Sequence, residues 1–138
     1  MLPESAPHSL AAYRLEKSKS LLKDALLLFD AGQWASANNR AYYSLFHAMR
    51  AVLALRQLDF KKHTAVIAAF HKDYIHSGAF DKKYSAVISN ASIIRNHSDY
   101  DDFYLCSRDE TDDLIRDVQE FVGAVENYLQ EQGCSLET

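Results

Sequence analysis

Apolar residues recur at intervals of three and four along most of the chain, a spacing that gathers them on one face of an α-helix. Five such stretches are present, and they begin near residues 9, 33, 64, 81 and 107. No stretch shows the strict alternation of apolar and polar residues that is typical of a half-buried strand. The pattern therefore predicts an all-α fold, an antiparallel helical bundle of four main helices plus a shorter helix.

Residues that favour helix ends mark the limits of this predicted bundle. Ser9 is placed to cap the first helix, and Gly32 follows its last turn. Ser107 and Glu110 have the spacing of a capping box, which is the clearest helix start in the chain. The fourth helix is expected to stop before the acidic stretch 99–102. The chain then divides into a flexible lead-in (1–8), one domain (9–132) and a frayed tail (133–138).

The second helix carries two apolar stripes, so it is expected to have neighbours on two sides and a central place in the bundle. One stripe consists of Trp34, Ala37, Ala41, Leu45, Ala48, Val52 and Leu55, and the other of Tyr42, Phe46, Met49 and Leu53. The remaining arc carries a polar row at helical spacing: Arg40, Tyr43, His47 and Arg50. This row is either the lining of a functional groove or the solvated face of a core helix.

The fourth helix places an arginine where apolar residues are expected. Its buried arc is formed by Tyr84, Val87, Ile88, Ala91 and Ile94. Arg95 projects into the same arc, and an unpaired charge on a buried face is costly. One interpretation is a structural pair between Arg95 and Asp99, one turn later. The other is that Arg95 faces a cleft or a second subunit and meets an anion there.

Composition limits the classes of function. The length of 138 residues and the hydrophobic fraction of 48% fit one domain with an ordinary core. The net charge of −4 is uneven, since residues 1–83 carry +5 and residues 84–138 carry −9. The basic part suits a nucleic acid or an acidic partner, whereas the overall acidity argues against a protein that simply coats nucleic acid.

The cysteines and the known motifs exclude further classes. Cys106 and Cys134 have neither metal-ligand spacing nor a disulfide framework, so reduced thiols in a cytoplasmic protein are expected. No segment has the length of a membrane span or the pattern of a signal peptide. Glycine-rich phosphate loops, zinc-protease motifs and serine-hydrolase motifs are absent, and no cofactor or metal is predicted.

Two local clusters leave alternatives open. His97, Asp99, Asp101 and Asp102 have the oxygen and nitrogen ligands for a hard cation, but acidic residues after a helix are more commonly a solvated loop. His63 lies where the third helix starts. It either caps that helix or contributes to a phosphate site at the helix N-terminus.

Several segments together resemble the small prokaryotic HEPN-domain proteins of the kind paired with minimal nucleotidyltransferases. The stretch from Asn39 to Leu53 is similar to the second helix of that family. Lys62 to Ile67, the Ser77-Gly78 break and Arg95 followed by the 99–102 stretch occur in the family's order. The resemblance covers roughly residues 9–130. It implies a helical bundle that is usually dimeric, and a metal-independent endoribonuclease in a toxin or defence module or a partner of a nucleotidyltransferase.

The family's catalytic signature is an arginine, often followed by Asn, Asp or His, and then a histidine four to six residues beyond. Arg95 and Asn96 match its first part, but the positions for the histidine hold Tyr100, Asp101 and Asp102. The resemblance thus implies Arg95, Asn96 and Tyr100 as catalytic positions. The expected binding residues are Tyr43, His47, Arg50, His63 and Asp99.

The expected function is that of the HEPN component of a toxin–antitoxin or defence-type module. It would bind RNA or a nucleotide at a homodimer cleft around Arg95, with weak or absent metal-independent ribonuclease activity. His47 or His63 could replace the missing histidine only if the fold brings one of them to the same phosphate. The alternative is a non-catalytic partner or nucleotidylation target of a minimal nucleotidyltransferase, with Tyr100 or Tyr104 as the acceptor.

Overall fold

The computed structural model describes residues 5–136, and within that range the chain forms helices joined by loops, with no strand. The helices are α1 (Ala6–Asp30), α2 (Trp34–Ala54), α3 (His63–Phe70, continued by a π-helical turn at His71–Ile75), α4 (Lys83–Tyr100) and α5 (Arg108–Glu131). Four long helices and one short helix match the predicted architecture. The all-α helical bundle is therefore confirmed.

Helix α1 begins earlier than the sequence pattern predicts. Ser5, and not Ser9, is the N-cap, because its hydroxyl accepts a hydrogen bond from the His8 backbone N–H at 3.2 Å. Pro7 lies in the first turn, where its missing N–H is not needed. Residues 6–8 of the expected lead-in are thus helical. Residues 1–4 lie outside the described part of the chain.

The end of α5 packs against this first turn. The His8 Nε2 donates to the carbonyl oxygen of Gln132 at 2.9 Å. Cys134 is only 7% exposed, and its Sγ lies 3.9 Å from the His8 carbonyl oxygen. The beginning of the expected frayed tail is therefore packed on the domain, because α1 starts early enough to meet it. Residues 137–138 of that tail are outside the described range.

Helix α4 extends through Tyr100, past the predicted stop. Two i,i+4 pairs span its last turn, since Arg95 lies against Asp99 and His97 against Asp101. Such pairs stabilise a helix end in which acidic residues would otherwise repel one another. The acidic composition of the stretch was therefore a misleading stop signal.

Half of the predicted capping box is present at the start of α5. The Ser107 hydroxyl accepts from the Glu110 backbone N–H at 3.0 Å, as predicted. The Glu110 carboxylate, however, accepts from the Tyr104 hydroxyl. The loop between α4 and α5 is thereby tied to the first turn of α5.

Helix α2 is the central element, as its two apolar stripes predict. It packs against α1, α3, α4 and α5. Its interface with α1 is close because small residues line it, and Ala37, Ala41 and Ala48 are fully buried. Ser18 and Ser44 exchange hydrogen bonds there, each hydroxyl donating to the other residue's carbonyl oxygen at 2.7 and 2.8 Å. These bonds satisfy both hydroxyls inside the core.

The opposite side of the core is aromatic. Phe70, Phe80 and Phe121 lie with ring centroids 5.2 to 6.1 Å apart, and Tyr84 joins them from α4. The core thus anchors α3, α4 and α5, and the polar face of α2 is directed toward the site described next.

Between residues 5 and 136 no helix combines the length and the apolar character that crossing a membrane requires.

Candidate functional site

Arg95 extends from α4 toward α2 and is held by neutral hydrogen-bond partners. Its Nη2 donates to the Tyr43 hydroxyl at 2.9 Å and to the Tyr100 hydroxyl at 3.3 Å. Its Nη1 donates to the Asn96 side-chain oxygen at 3.2 Å. The side chain is 16% exposed, so the guanidinium is packed but still reached by solvent.

The Arg95–Asp99 pair that the sequence suggested is present. The Arg95 Nε lies 3.1 Å from the Asp99 Oδ2, but its N–H is not aligned for a hydrogen bond, so the contact is ionic. Asn39 of α2 donates to the same carboxylate oxygen at 2.9 Å. This pair occupies only the Nε edge. Among the described residues, no second carboxylate contacts the Nη groups.

Three tyrosine rings surround the guanidinium. The Arg95 Cζ lies 5.2 Å from the ring centroid of Tyr42, 5.4 Å from that of Tyr43 and 5.3 Å from that of Tyr100. These distances are those of cation–π contacts. Burial alone would lower the pKa of Arg95, but Tyr43, Tyr100 and Asp99 outweigh it, and its pKa is raised. The side chain is therefore a permanent cation.

His63 approaches the same tyrosines from the start of α3. Its Nδ1 is 3.1 Å from the Tyr42 hydroxyl, and its ring centroid is 4.1 Å from that of Phe46 and 5.7 Å from that of Tyr43. Burial lowers the pKa of His63, and the charges of Arg95 and Arg50 lower it further. His63 is thus a neutral imidazole at pH 7.

A cleft of about 560 Å³ opens beside His63. It is lined by Phe46, Arg50, Asp59, Phe60, Lys61 and His63. Two of these residues are cationic, and Phe60 presents an exposed aromatic ring. His63 lines this cleft and also contacts Tyr42 and Tyr43, the two rings that Arg95 contacts. Together they form one candidate site at the junction of α2, α4 and the α2–α3 loop.

A buried arginine that the sequence reasoning missed supports this loop. Arg14 of α1 is 8% exposed, and it donates to the Arg50 carbonyl oxygen and to the Asp59 Oδ2, both at 3.2 Å. Arg50 donates to the Asp59 Oδ1 at 3.2 Å. Burial alone would raise the pKa of Asp59, but Arg50 and Arg14 outweigh it and lower that pKa. A signal was available, since Arg14 lies one turn before the buried Ser18.

The four residues of the polar row of α2 lie in four different environments. Tyr43 contacts Arg95, and Arg50 lines the cleft. Arg40 is exposed and donates to the Asn39 side chain at 2.9 Å. His47 lies near the charges of α1, and its buried Nδ1 has no hydrogen-bond partner among the described residues. Burial and the Lys17 charge lower its pKa to about 4. The structure thus brings His63, and not His47, to the tyrosines around Arg95.

The two tyrosines beyond the motif differ in accessibility. Tyr100 is 68% exposed, and its hydroxyl contacts Arg95. The Tyr104 hydroxyl donates to Glu110, and its ring stacks on that of His97 at 5.3 Å. His97 is engaged by Asp101. In the described range, no group of three or more His, Cys, Asp or Glu side chains is arranged to hold a metal ion.

Comparison with known proteins places this geometry in a family context. The family model described as "HEPN domain" matches residues 11–128. A "UPF0332 protein" of Thermotoga maritima is 29% identical over 119 residues, covering 86% of this chain and 90% of that protein. A "UPF0332 protein" of Archaeoglobus fulgidus is 30% identical, covering 84% of this chain and 92% of that protein. "Putative toxin MJ0142" of Methanocaldococcus jannaschii is 27% identical, covering 83% and 78% respectively.

The position of Arg95 predicts a modest role in stability. Phe121 is fully buried, and its replacement by alanine should cost about 3–5 kcal/mol through lost contacts and a cavity. Arg95→Ala should cost clearly less, because the guanidinium reaches solvent and water can replace it as the partner of Asp99 and of the tyrosine hydroxyls. Urea unfolding of both variants measures the difference. A larger loss for Arg95→Ala would mean that the residue is mainly a structural ion-pair partner.

The lowered pKa of His47 predicts that acid reduces the stability of the folded chain. Its pKa is about 4 in the folded chain, against about 6.5 for an unperturbed histidine. The unfolded chain therefore binds a proton that the folded chain refuses, and stability should fall as the pH drops from about 6.5 to about 4. His47→Gln should lose less stability over this range than the parent protein, as measured by urea midpoints. The exposed His76, changed to Gln, is the matched control, and equal acid losses in all three proteins would contradict the assignment.

Proposed function

Because the chain belongs to the HEPN domain family, we propose that it binds RNA, or a nucleotide, through the face around Arg95 as the HEPN component of a toxin or defence module. The observation that supports this most directly is the state of Arg95. Its charge is permanent, it reaches solvent, and among residues 5–136 a single carboxylate contacts it, through its Nε edge. A phosphate is the ligand that best uses the remaining edge.

The neighbours of Arg95 suit a phosphodiester. Tyr43 and Tyr100 present hydroxyls to Nη2, and both can turn to donate to phosphate oxygens. The exposed ring of Tyr100 also offers a stacking surface for an unpaired base. Phosphate recognition and base stacking together favour single-stranded RNA.

A second cationic position favours a ligand with several phosphates, such as RNA, over a single phosphate. Arg50 and Lys61 line the cleft together with His63. A ligand with several phosphates can contact Arg95 and this pair at once, whereas a free phosphate reaches only one of them. These three cations are the part of an overall acidic protein that would attract the phosphates.

Cleavage through the family's usual positions is expected to be weak or absent. Positions 100–102 hold a phenol and two carboxylates in place of the histidine. A phenol is a weak base at neutral pH, and carboxylates would repel the phosphate. We therefore expect the chain to bind RNA without proton transfer by the residues at positions 100–102.

A toxin role is supported by the names of similar proteins. Two relatives from Methanocaldococcus jannaschii carry the name "Putative toxin" and cover most of this chain. A protein that holds cellular RNA through a fixed cation can arrest growth when it is expressed without its partner. The partner proposed for this chain is a minimal nucleotidyltransferase.

The second candidate function is that of a nucleotidylation target. The specific observation is that Tyr100 is exposed beside Arg95, whereas the Tyr104 hydroxyl is occupied by Glu110. A nucleotidyl group on Tyr100 would bring its phosphate to Arg95 and block the RNA site. In this reading Tyr100 is the acceptor, and Tyr104 is a structural residue.

We also expect a homodimer. Tyr100, which contacts Arg95, is followed by the exposed apolar residues Phe103 and Leu105, and Ile93 is exposed on α4. A two-fold contact through these residues would bring two Arg95 side chains to one cleft. Leu105→Glu should convert the dimer to a monomer in light scattering at tens of micromolar, because it would bury a charge. Leu27→Glu, at an exposed position on α1, is the control, and a monomeric parent protein would contradict the proposal.

RNA binding should depend on Arg95. Arg95→Ala should weaken binding of a labelled single-stranded oligoribonucleotide by about tenfold or more, since a charge-assisted contact contributes about 1.5–3 kcal/mol. Fluorescence anisotropy in the presence of a chelator measures the effect. Arg116→Ala, which removes an exposed arginine of α5, should leave the affinity unchanged. Absence of binding by the parent protein would remove the RNA proposal and leave the nucleotidylation target as the better function.

A further inference from the structure

We propose that His63 is the catalytic base of a slow, metal-independent RNA cleavage at the Arg95 site. This inference rests on the proposed RNA binding and adds a reacting group to it. The histidine would come from the start of α3, far in sequence from Arg95, and not from the residues that follow Arg95 on α4.

The first support is position. Arg95 and His63 contact the same two rings, those of Tyr42 and Tyr43, one from α4 and the other from α3. The other two candidates are placed differently: His47 lies near the charge of Lys17 on α1, and His97 pairs with Asp101. His63 is therefore the histidine that the fold brings to the arginine.

The second support is orientation. The Tyr42 hydroxyl lies 3.1 Å from the His63 Nδ1, and the Phe46 ring packs against the imidazole at a centroid distance of 4.1 Å. When Nδ1–H donates to the Tyr42 oxygen, Nε2 carries the free electron pair. Within residues 5–136, no hydrogen bond engages Nε2, and the ring lines the open cleft. A base must be both held and accessible, and His63 meets both conditions.

The third support is charge. The titratable groups around His63 come from three elements: Tyr42, Tyr43, His47 and Arg50 of α2, Asp59 and Lys61 of the loop, and Arg95 of α4. The cations outnumber the single carboxylate, which Arg14 and Arg50 already pair. Burial and the charges of Arg95 and Arg50 lower the pKa of His63. The imidazole is thus neutral, and ready to accept a proton, at physiological pH.

The reaction is an internal transesterification. The His63 Nε2 takes the proton of the 2′-hydroxyl, and the 2′-oxygen forms a bond to phosphorus. The bond from phosphorus to the 5′-oxygen breaks, and that oxygen leaves with its electron pair and takes a proton from water. Arg95 stabilises the negative charge on the non-bridging oxygens of the phosphorane. The products are a 2′,3′-cyclic phosphate and a 5′-hydroxyl, and His63 returns its proton to solvent.

The test compares cleavage with binding. An end-labelled single-stranded oligoribonucleotide is incubated with excess protein and a chelator, and the products are resolved by length and by end chemistry. His63→Ala should lose about a hundredfold or more in single-turnover rate, the usual range for a general base. Its affinity for RNA, measured by anisotropy, should change much less. His76→Ala, an exposed histidine beyond the same helix, is the matched control and should cleave like the parent protein.

Two further readouts separate catalysis from a structural role. Added imidazole should restore part of the rate in His63→Ala, which a merely misfolded site would not allow. In the parent protein, the rate should rise with pH and level off below the ordinary histidine pKa of about 6.5, and His63→Ala should lack this inflection. Thermal melts of both proteins establish that the variant is folded.

Each result decides between distinct possibilities. Equal cleavage by the parent and His63→Ala overturns the assignment of His63, as does a parent protein that binds RNA but cuts none of it between about pH 5 and about pH 9. In both cases the proposed RNA binding stands. A parent protein that fails to bind RNA overturns the proposed function itself. Loss of rate in His63→Ala with imidazole rescue supports the inference.

Discussion

The charge of Arg95 is the constraint that organises the site. A guanidinium cannot give up its proton, so the chain must compensate it where it stands. Asp99 supplies one carboxylate along the Nε edge, and Tyr42, Tyr43 and Tyr100 supply π faces and hydroxyls. This arrangement lets the cation pack between helices without being neutralised completely. The result is a cation that solvent still reaches at the point where α2 and α4 meet, and the proposed binding of anions rests on it.

The central helix makes this arrangement consistent with a stable core. Helix α2 uses its small residues to approach α1 closely and its larger apolar residues to contact the other helices. Tyr42 and Tyr43 are adjacent in sequence, and their rings therefore leave the helix in different directions, with planes 84° apart. The Tyr42 hydroxyl meets His63, whereas the Tyr43 hydroxyl accepts a hydrogen bond from Arg95. The core and the site thus share the same helix, which explains why site residues alternate with core residues along it.

The loop between α2 and α3 is held by an arginine of α1, which is distant from the loop in sequence. Arg14 on α1 donates a hydrogen bond to Asp59, and Asp59 also accepts one from Arg50. A buried charge needs such a partner, and the shared carboxylate supplies it for both arginines. This network fixes the loop that leads to His63. It links the first helix, which carries no group of the site, to the orientation of the cleft.

The sequence by itself determined the bundle, the central place of α2, the Ser107 cap and the anomaly of Arg95, because apolar periodicity and local hydrogen bonds act over a few residues. It also suggested the Arg95–Asp99 pair, because these two residues lie one helical turn apart. The packing of the end of α5 on the first turn of α1, the pairing of Asp59 with Arg14, and the approach of His63 to the tyrosines around Arg95 required the tertiary structure. These depend on contacts between residues 21 to 124 positions apart, such as Tyr42 with His63 and His8 with Gln132. No local pattern encodes which of two histidines a distant helix will bring to an arginine.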